Sequence, residues 1–221
     1  MNAPDSPAQP VPRSTYRHGD LRRALLDAGI DLARAGGPEA VVLREATRRA
    51  GVAPNAAYRH FDSRQALLRA VRSAALAAVA RAMEAEIAAV PADLPPVEFA
   101  RANVRAVGTG YLRFAQAETG LFRTAFGASE DLKERADGRP ADAERSGQSG
   151  LDPFQLLGAA LDKLVTAGVL PPERRPGAEF LAWSAVHGLA MLVIDGPLGP
   201  VLGAQMQQVG QRLLDMVEKG L

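Results

Sequence analysis

Apolar residues recur at helical spacing along almost the whole chain. The first clear example begins at Leu21, where apolar positions follow one another at steps of four and three as far as Leu32. Asp20 is placed to cap this helix, and the glycine pair at 36–37 is placed to end it. No segment alternates apolar and polar residues as a half-buried strand does, and no repeat is present. The pattern therefore predicts an all-α fold.

Glycine, proline and capping residues divide this pattern into separate helices. Gly51 separates two short segments, and Pro54 suits the first position of the second of them, where its missing N–H costs nothing. Asp62 and Ser63 predict the cap of a long alanine-rich helix, which Pro91 ends. After the first helix, the predicted helices cover the ranges 43–50, 54–61, 64–89, 97–116, 121–126, 154–167, 177–194 and 205–219.

Several features of the chain bear on its environment. Residues 1–15 are rich in Pro and Ser and are predicted to be a disordered arm, and 128–150 is predicted to be a mobile loop. The longest apolar run without an acidic or basic residue, 180–194, contains His187 and is shorter than the roughly 20 residues that span a bilayer. The N-terminus lacks the apolar core of a secretory signal, and cysteine is absent. We therefore expect a soluble, cytoplasmic protein with no membrane partner and no thiolate chemistry.

The formal net charge of +1 is unevenly distributed. Residues 1–72 hold twelve arginines against seven acidic residues, a balance of +5, so the remaining residues carry −4. A basic region attached to an acidic one is typical of a protein that meets a polyanion at one end. An arginine-rich face that is merely solvated is the alternative, and charge alone does not separate the two.

The two short helices have the lengths and the glycine turn of a helix-turn-helix, whose second helix enters the major groove of DNA. Residues 16–69 resemble the N-terminal domain of the TetR family of bacterial transcriptional regulators. Three elements stand at the family's spacing, namely Ala50-Gly51-Val52, Tyr58-Arg59-His60-Phe61 and Ala66-Leu67-Leu68. Later elements are similar to the TetR subgroup with a Trp/His-Gly signature, namely Tyr111, Phe114-Ala115, Leu121-Phe122-Arg123, Phe126 and Ala182-Trp183-Ser184-Ala185-Val186-His187-Gly188-Leu189.

The resemblance implies a three-helix DNA-binding domain over 16–63 and a helical domain over 64–221 that binds an effector and dimerises. It also implies no catalysis. The last two helices suit a homodimer: the helix 177–194 is apolar nearly all round and is expected to be buried on more than one side. The helix 205–219 carries a single apolar stripe, formed by Met206, Val209, Leu213 and Met216 or Val217.

The resemblance places the DNA contacts around the second short helix. Asn55 and Ala56 are candidates for base edges, Asn55 through hydrogen bonds and Ala56 through a thymine methyl. Tyr58 and His60 are expected at phosphates, with a solvated surface histidine as the alternative for His60. The predicted contacts are Arg44, Pro54, Asn55, Ala56, Tyr58, His60 and Arg64. For both arginines, a phosphate contact and a solvated side chain stay open, and Arg13 and Arg17 are candidates for a minor-groove arm.

Departures from the family pattern also lie in this region. Ala53 stands where a serine often caps the second short helix, so a hydroxyl cap is expected to be missing. Val42, Ala46, Thr47 and Ala57 replace commoner residues, and we expect a looser core there. Ala57 and Phe61 are nevertheless predicted to be core residues.

The effector is expected to be a small, mostly apolar molecule, because large apolar residues are spread over the middle helices of the second domain. The predicted ligand contacts are Phe99, Tyr111, Phe114, Phe122, Phe126, Trp183, His187 and Met191. The alternative for each is that it fills the core, and for His187 that it is a hydrogen-bonded core residue. His18, His60 and His187 lie far apart in sequence, so neither a metal nor a cofactor is expected.

These observations favour a ligand-responsive repressor that binds double-stranded DNA. A transcriptional activator of the same family, or a repressor without a natural ligand, is the nearest alternative. A helical scaffold or ligand carrier, or a helical enzyme, is the alternative from another class, although an enzyme would need convergent titratable groups that the second domain lacks.

Overall fold

The computed structural model describes residues 21–127 and 144–221, and these residues are helical without any strand. The predicted arm 1–15, Arg13, Arg17, Asp20 and part of the predicted loop lie outside the described residues. The helices are α1 (Leu21–Gly36), α2 (Leu43–Arg49), α3 (Pro54–Ala57), α4 (Arg64–Ala88), α5 (Pro96–Ala117), α6 (Thr119–Phe126), α7 (Pro153–Thr166), α8 (Ala178–Ile194), α9 (Gly199–Leu202) and α10 (Met206–Gly220). We call α1 to α3 the head and α4 to α10 the body.

The head forms around α1, which packs against α2, α3 and the first half of α4. Leu25, Leu67 and Val71 are fully buried at this junction. Gly29 allows the close approach, because a Cβ there would lie 2.7 Å from a methyl group of Val71. Ser63 caps α4 as predicted, since its hydroxyl accepts a hydrogen bond from the Ala66 N–H at 3.1 Å.

The body is centred on α5, which lies between α4 and α10. At the α4 contact, a Cβ on Gly110 would lie 2.6 Å from the Met83 Cα, so only glycine fits this backbone approach. α10 runs antiparallel to α5, with Leu214 beside Gly108 and Gly210 beside Leu112. These two glycines let α10 lie closely against α5.

The short helix α6 connects the two parts. A side chain at Gly120 would clash with the carbonyl oxygens of Ala33 and Arg34, so the start of α6 lies directly against the end of α1. Arg123, one turn later, pairs with Asp195 at the end of α8. α6 therefore contacts both the head and the body.

Most predicted helix boundaries lie within two residues of the observed ones, with two larger differences. α3 ends at Ala57 rather than at Phe61, because the N–H groups of His60 and Phe61 both donate to the Ala57 carbonyl in a turn. This turn brings Phe61 into the core, where it is 3% exposed. The second difference is α9, which lies in a stretch rich in glycine and proline that predicted no helix.

The last two long helices each bury one face in the single chain and leave apolar side chains exposed. On α8 the buried face is formed by Ala178, Ala182, Val186, Leu189 and Ala190. Phe180 and Leu181 are 61% and 67% exposed. In α10 the buried positions are Met206, Gly210, Leu214 and Glu218. Met206 belongs to the predicted stripe, and each of the other three lies one residue after a position of that stripe. Met216 of that stripe is 61% exposed.

Candidate DNA interface and effector cavity

The turn between α2 and α3 is built largely from backbone bonds. Gly51 adopts φ +67°, a left-handed conformation that favours glycine, and the Val52 N–H donates to the Thr47 carbonyl at 3.1 Å. The Thr47 side chain is buried and donates to the Arg44 carbonyl. Ala53 precedes α3 without a side-chain cap, as predicted. The start of α3 therefore depends on the turn rather than on a hydroxyl group.

Most of the predicted DNA contacts lie at the surface of this motif. Arg44, Asn55 and Tyr58 are exposed, and Ala56 and His60 are half-buried. Pro54 begins α3, as expected from its position. The residues predicted to be core are buried: Ala57 is 0% exposed and Phe61 is packed against the head. The structure thus brings six of the seven predicted contacts together around α2 and α3.

Arg64 makes contacts to the backbone that neither sequence alternative included. Its Nε donates to the Val41 carbonyl and its Nη2 to the Pro38 carbonyl, both at 2.8 Å. These carbonyls belong to the connection between α1 and α2. Arg64 therefore holds the start of α4 to the segment that positions α2, while about a third of its side chain stays exposed. Sequence spacing did not indicate this contact, because the partners lie 23 and 26 residues upstream.

Other arginines of the head are also paired internally. Hydrogen bonds from Arg48 and Arg49 lower the pKa of Glu45 to about 2, so Glu45 is ionised at neutral pH. The guanidinium of Arg22 lies 5.3 Å from the centre of the Phe61 ring. Arg44 has no side-chain partner in the described residues 21–127 and 144–221. The arginines of the head therefore differ in whether they have a partner within the chain.

A cavity of about 40 Å³ lies inside the body, between α4, α5, α7, α8 and α10. Its walls are mainly aliphatic and aromatic, and include Leu76, Val107, Phe154 and Val186. This volume holds a few water molecules, whereas pockets for drug-sized ligands measure about 300–1,000 Å³. A ligand of that size therefore requires the walls to move apart.

The predicted ligand contacts divide into three groups. Tyr111, Phe126 and Trp183 line the cavity. Phe122 and His187 stand behind them, with the Phe122 ring centre 5.2 Å from that of Tyr111 and 5.9 Å from that of His187. The remaining predicted contacts lie away from the lining: Phe99, Phe114 and Met191.

Polar groups meet at one side of the cavity. The Trp183 Nε1–H donates to the Tyr111 hydroxyl oxygen at 3.1 Å, and that oxygen lies 2.8 Å from His187 Nδ1. Burial lowers the pKa of His187, which favours the neutral ring at pH 7. His187 is thus hydrogen bonded and half-buried, in agreement with its interpretation as a core residue. The contact also places polar atoms beside a wall that is mainly apolar.

Two protein-family models match the chain. Residues 25–71 match the model described as bacterial regulatory proteins, tetR family, and residues 104–217 match the tetracyclin repressor-like C-terminal domain. The chain belongs to the TetR family. It is therefore a TetR-family transcriptional regulator, with a helix-turn-helix domain followed by a helical C-terminal domain. No curated protein is similar enough in sequence to count as a match.

Solved structures share the TetR fold. A protein of unknown function from Rhodococcus sp. RHA1 has 25% identity and a TM-score of 0.70, over 95% of this chain and 99% of that one. The TetR-family regulator PfmR from Thermus thermophilus has 20% identity and a TM-score of 0.54, over 89% and 98%. A TetR variant from Acinetobacter baumannii AYE in complex with minocycline has 19% identity and a TM-score of 0.54, over 89% and 93%.

Membrane-spanning helices and metal-binding clusters are both absent from the part of the chain that the structure describes. None of the helices in 21–127 and 144–221 combines the length and the apolar character needed to cross a membrane. Within the same ranges, His, Asp and Glu side chains form no group of three that could hold a metal ion.

Proposed function

We propose that this TetR-family regulator is a repressor that binds duplex DNA as a homodimer and is released by a small, mostly apolar effector in the body cavity. The domain over 16–63 binds DNA, and the domain over 64–221 binds the effector and the second subunit. The observation that carries this proposal is the position of α6. Phe126, at its end, lines the cavity, and Gly120, at its start, lies against the backbone of α1.

This arrangement supports coupling between the cavity and the head. A molecule that enlarges the cavity displaces Phe126, and α6 has only eight residues and lies directly against α1. An effector that favours the displaced conformation weakens DNA binding by the same factor by which DNA weakens effector binding. A coupling of about 1–3 kcal/mol lowers operator affinity roughly five- to 150-fold.

The proposed DNA contacts are those at the surface of α2 and α3. Asn55 and Ala56 meet base edges, and Tyr58, His60 and Arg44 meet the phosphates on either side. Pro54 starts the helix that presents them. Arg64 is left out of this set, because its guanidinium is engaged with two backbone carbonyls.

The proposed dimer interface is the exposed apolar face of α8 and α10. Phe180, Leu181 and Leu192 on α8 and Met216 on α10 are all at least 47% exposed in the single chain. Burying such side chains against a second copy removes apolar area from water, which favours association. Two heads held by this symmetry then meet the two half-sites of a palindrome.

A mobility-shift titration tests the DNA part of the proposal. The operator is first obtained by selecting genomic fragments on the purified protein. Affinity is expected to fall steeply with salt as counterions are released, and Asn55→Ala is expected to relax specificity at one base position. Operator affinity that does not change between 50 and about 200 mM salt contradicts DNA binding through phosphates.

A thermal-shift screen of hydrophobic compounds, followed by operator titration with each hit, tests the effector part. A compound that stabilises the protein and weakens operator binding supports the proposal. Compounds that stabilise the protein but leave operator affinity unchanged contradict it. For the dimer, Leu181→Glu is expected to give monomers in sedimentation, while Val97→Glu, an exposed apolar position on α5, is the control and stays dimeric.

A further inference from the structure

A short segment after the undescribed residues forms part of the cavity wall. We call residues 147–152 the strap. The strap is a tight turn, with the Gly147 N–H donating to the Leu151 carbonyl and the Gly150 N–H donating to the Gly147 carbonyl. It leads directly into α7, whose first residues Pro153 and Phe154 line the cavity together with Asp152. A movement of the strap therefore changes the cavity wall.

One carboxylate on α4 holds the strap. Glu84 accepts hydrogen bonds from the backbone N–H groups of Gln148 and Ser149, each at 2.8 Å, and from the Ser149 hydroxyl at 2.6 Å. Burial alone would raise the pKa of Glu84, but the bonds from Ser149 and Gln148 outweigh it and hold the pKa below its usual range. Gly147 lies so close that any Cβ would clash with this carboxylate. A side chain at this position would therefore displace the Glu84 carboxylate from the strap.

The connection from the strap to the cavity wall is rigid. Asp152 accepts a hydrogen bond from the Gln155 N–H at 2.8 Å, and the Gln155 side chain accepts one from the Asp152 N–H at 3.0 Å. Such a reciprocal capping box fixes the chain where it joins the helix. The position of Phe154 thus depends on where the strap is held.

We infer that Glu84 is a positioning residue that keeps the effector cavity closed by holding the strap over α4. This inference rests on the proposed function of the cavity. At about 40 Å³ the cavity must expand before it accepts a drug-sized molecule. α5 packs against both α4 and α10, with a backbone approach at Gly110 on the α4 side and Leu214 of α10 lying against Gly108. The strap is held by hydrogen bonds to one half-buried side chain, which water can replace when it opens.

The test compares Glu84→Gln and Gly147→Ala with the wild-type chain and with Glu86→Gln. Glu86 is two residues further along α4 and pairs with Arg113, away from the strap, so its variant is the matched control. The probe is N-phenyl-1-naphthylamine, a neutral apolar fluorophore, and its association rate and affinity are measured by stopped flow and titration. Hydrogen exchange of the Gln148 and Ser149 amides reports directly whether the strap is released.

Both strap variants are expected to speed amide exchange in the strap and to raise probe affinity about tenfold, because a larger fraction of molecules is open. Glu86→Gln is expected to match the wild type. Operator affinity without probe stays within about twofold for every variant, which separates strap release from unfolding of the body.

A cavity-filling variant, Ala182→Leu, separates failure of this inference from failure of the proposed site. Ala182 lines the cavity and is buried, so the larger side chain is expected to lower probe affinity. If Ala182→Leu lowers probe affinity while the strap variants bind like the wild type, the role of Glu84 is overturned and the site stands. If Ala182→Leu leaves the affinity unchanged, the probe does not use the cavity, and both the site and the inference fall.

Discussion

The head and the body of this regulator are each stabilised by a different kind of internal contact. The short helices of the head are held by side-chain hydrogen bonds to the backbone, such as those from Arg64 at the start of α4. Small residues of the head are completely buried, including Ala46 and Ala57. In the body, long helices meet closely at glycines, yet they leave a cavity among aromatic rings. Ala46, Thr47 and Ala57, where a looser core is expected, are all buried. In the proposed function, the head presents a fixed surface to DNA, and the body keeps the space in which an effector would bind.

Phe122→Ala is expected to have the largest effect, because it removes the most enclosed ring of the body. Phe122 is 0% exposed and contacts the rings of Tyr111, Phe126 and His187. The free energy of unfolding is expected to fall by about 3–5 kcal/mol, as measured by urea denaturation. Phe61→Ala removes a buried ring from the head and is the variant with which Phe122→Ala is compared.

If the two parts fold as one cooperative unit, each of these variants shifts a single transition. Two separate transitions in Phe122→Ala, with the head transition unmoved, would show that the head is stable independently of the body.

Gly120→Ala is expected to disturb the junction of the two parts. The added methyl group clashes with the Ala33 and Arg34 carbonyls and forces α6 away from α1. We expect a loss of about 1–3 kcal/mol in the free energy of unfolding and weaker operator binding. Gly158→Ala in α7 is the control, since its nearest neighbours lie 3.7 Å away and the substitution favours the helix. Equal behaviour of the two variants in thermal unfolding and operator titration would mean that the α1–α6 contact is unimportant.

Glu218→Gln tests the buried ion pairs that fix α10 to α5. Burial alone would raise the pKa of Glu218, but hydrogen bonds from Arg105 and Arg101 outweigh it and lower the pKa. The variant is expected to lose about 1–2 kcal/mol at pH 7, a modest amount because both arginines are partly exposed.

The sign of the pH dependence follows from the lowered pKa. The stabilisation is fully present above the unfolded pKa of about 4.3 and is lost as the pH falls through the lower pKa of the folded state. The difference between wild type and Glu218→Gln in urea denaturation should therefore shrink below about pH 4. A difference that stays constant down to about pH 3 would contradict this role of the carboxylate.

The smallest expected effects distinguish the structural role of Arg64, at the start of α4, from the proposed DNA contact of Arg44. Arg64→Lys keeps the charge but loses the fork that spans two carbonyls, so stability is expected to fall by about 1 kcal/mol with an unchanged salt slope of operator binding. Arg44→Gln is expected to leave stability unchanged and to reduce the salt slope by about one. The reverse pattern in thermal unfolding and salt titration would exchange the proposed roles of Arg44 and Arg64.

Local signals predicted the fold well. The long helix α4 was predicted within one residue at its end, because the Ser63 cap and the proline at 91 are both encoded nearby. The end of α3 was not predicted, because no helix-breaking residue follows Ala57. The turn after Ala57 forms because Phe61 enters the core. The tie of Arg64 depends on distant carbonyls, which periodicity does not reveal.

The cavity was predictable only in part. Tyr111, Phe126 and Trp183 were predicted from their large aromatic rings, because such rings fill much of the interior of a small domain, and these three residues line the cavity. The same reasoning also selected Phe99, whose ring lies under the Lys163 ammonium at 5.5 Å instead. Aliphatic lining residues such as Leu76 look like any core residue in sequence. Where helices separate enough to leave space depends on their crossing, which no single segment encodes.

The position of Trp183 has a practical consequence for optical measurements. It is the single tryptophan of the chain, and its indole N–H is bonded to the Tyr111 hydroxyl at the cavity wall. Indole emission responds to its hydrogen bonding and to nearby absorbing groups. The intrinsic tryptophan fluorescence of the protein therefore originates at a wall of this cavity, and the unlabelled regulator would carry its own spectroscopic reporter of the proposed effector.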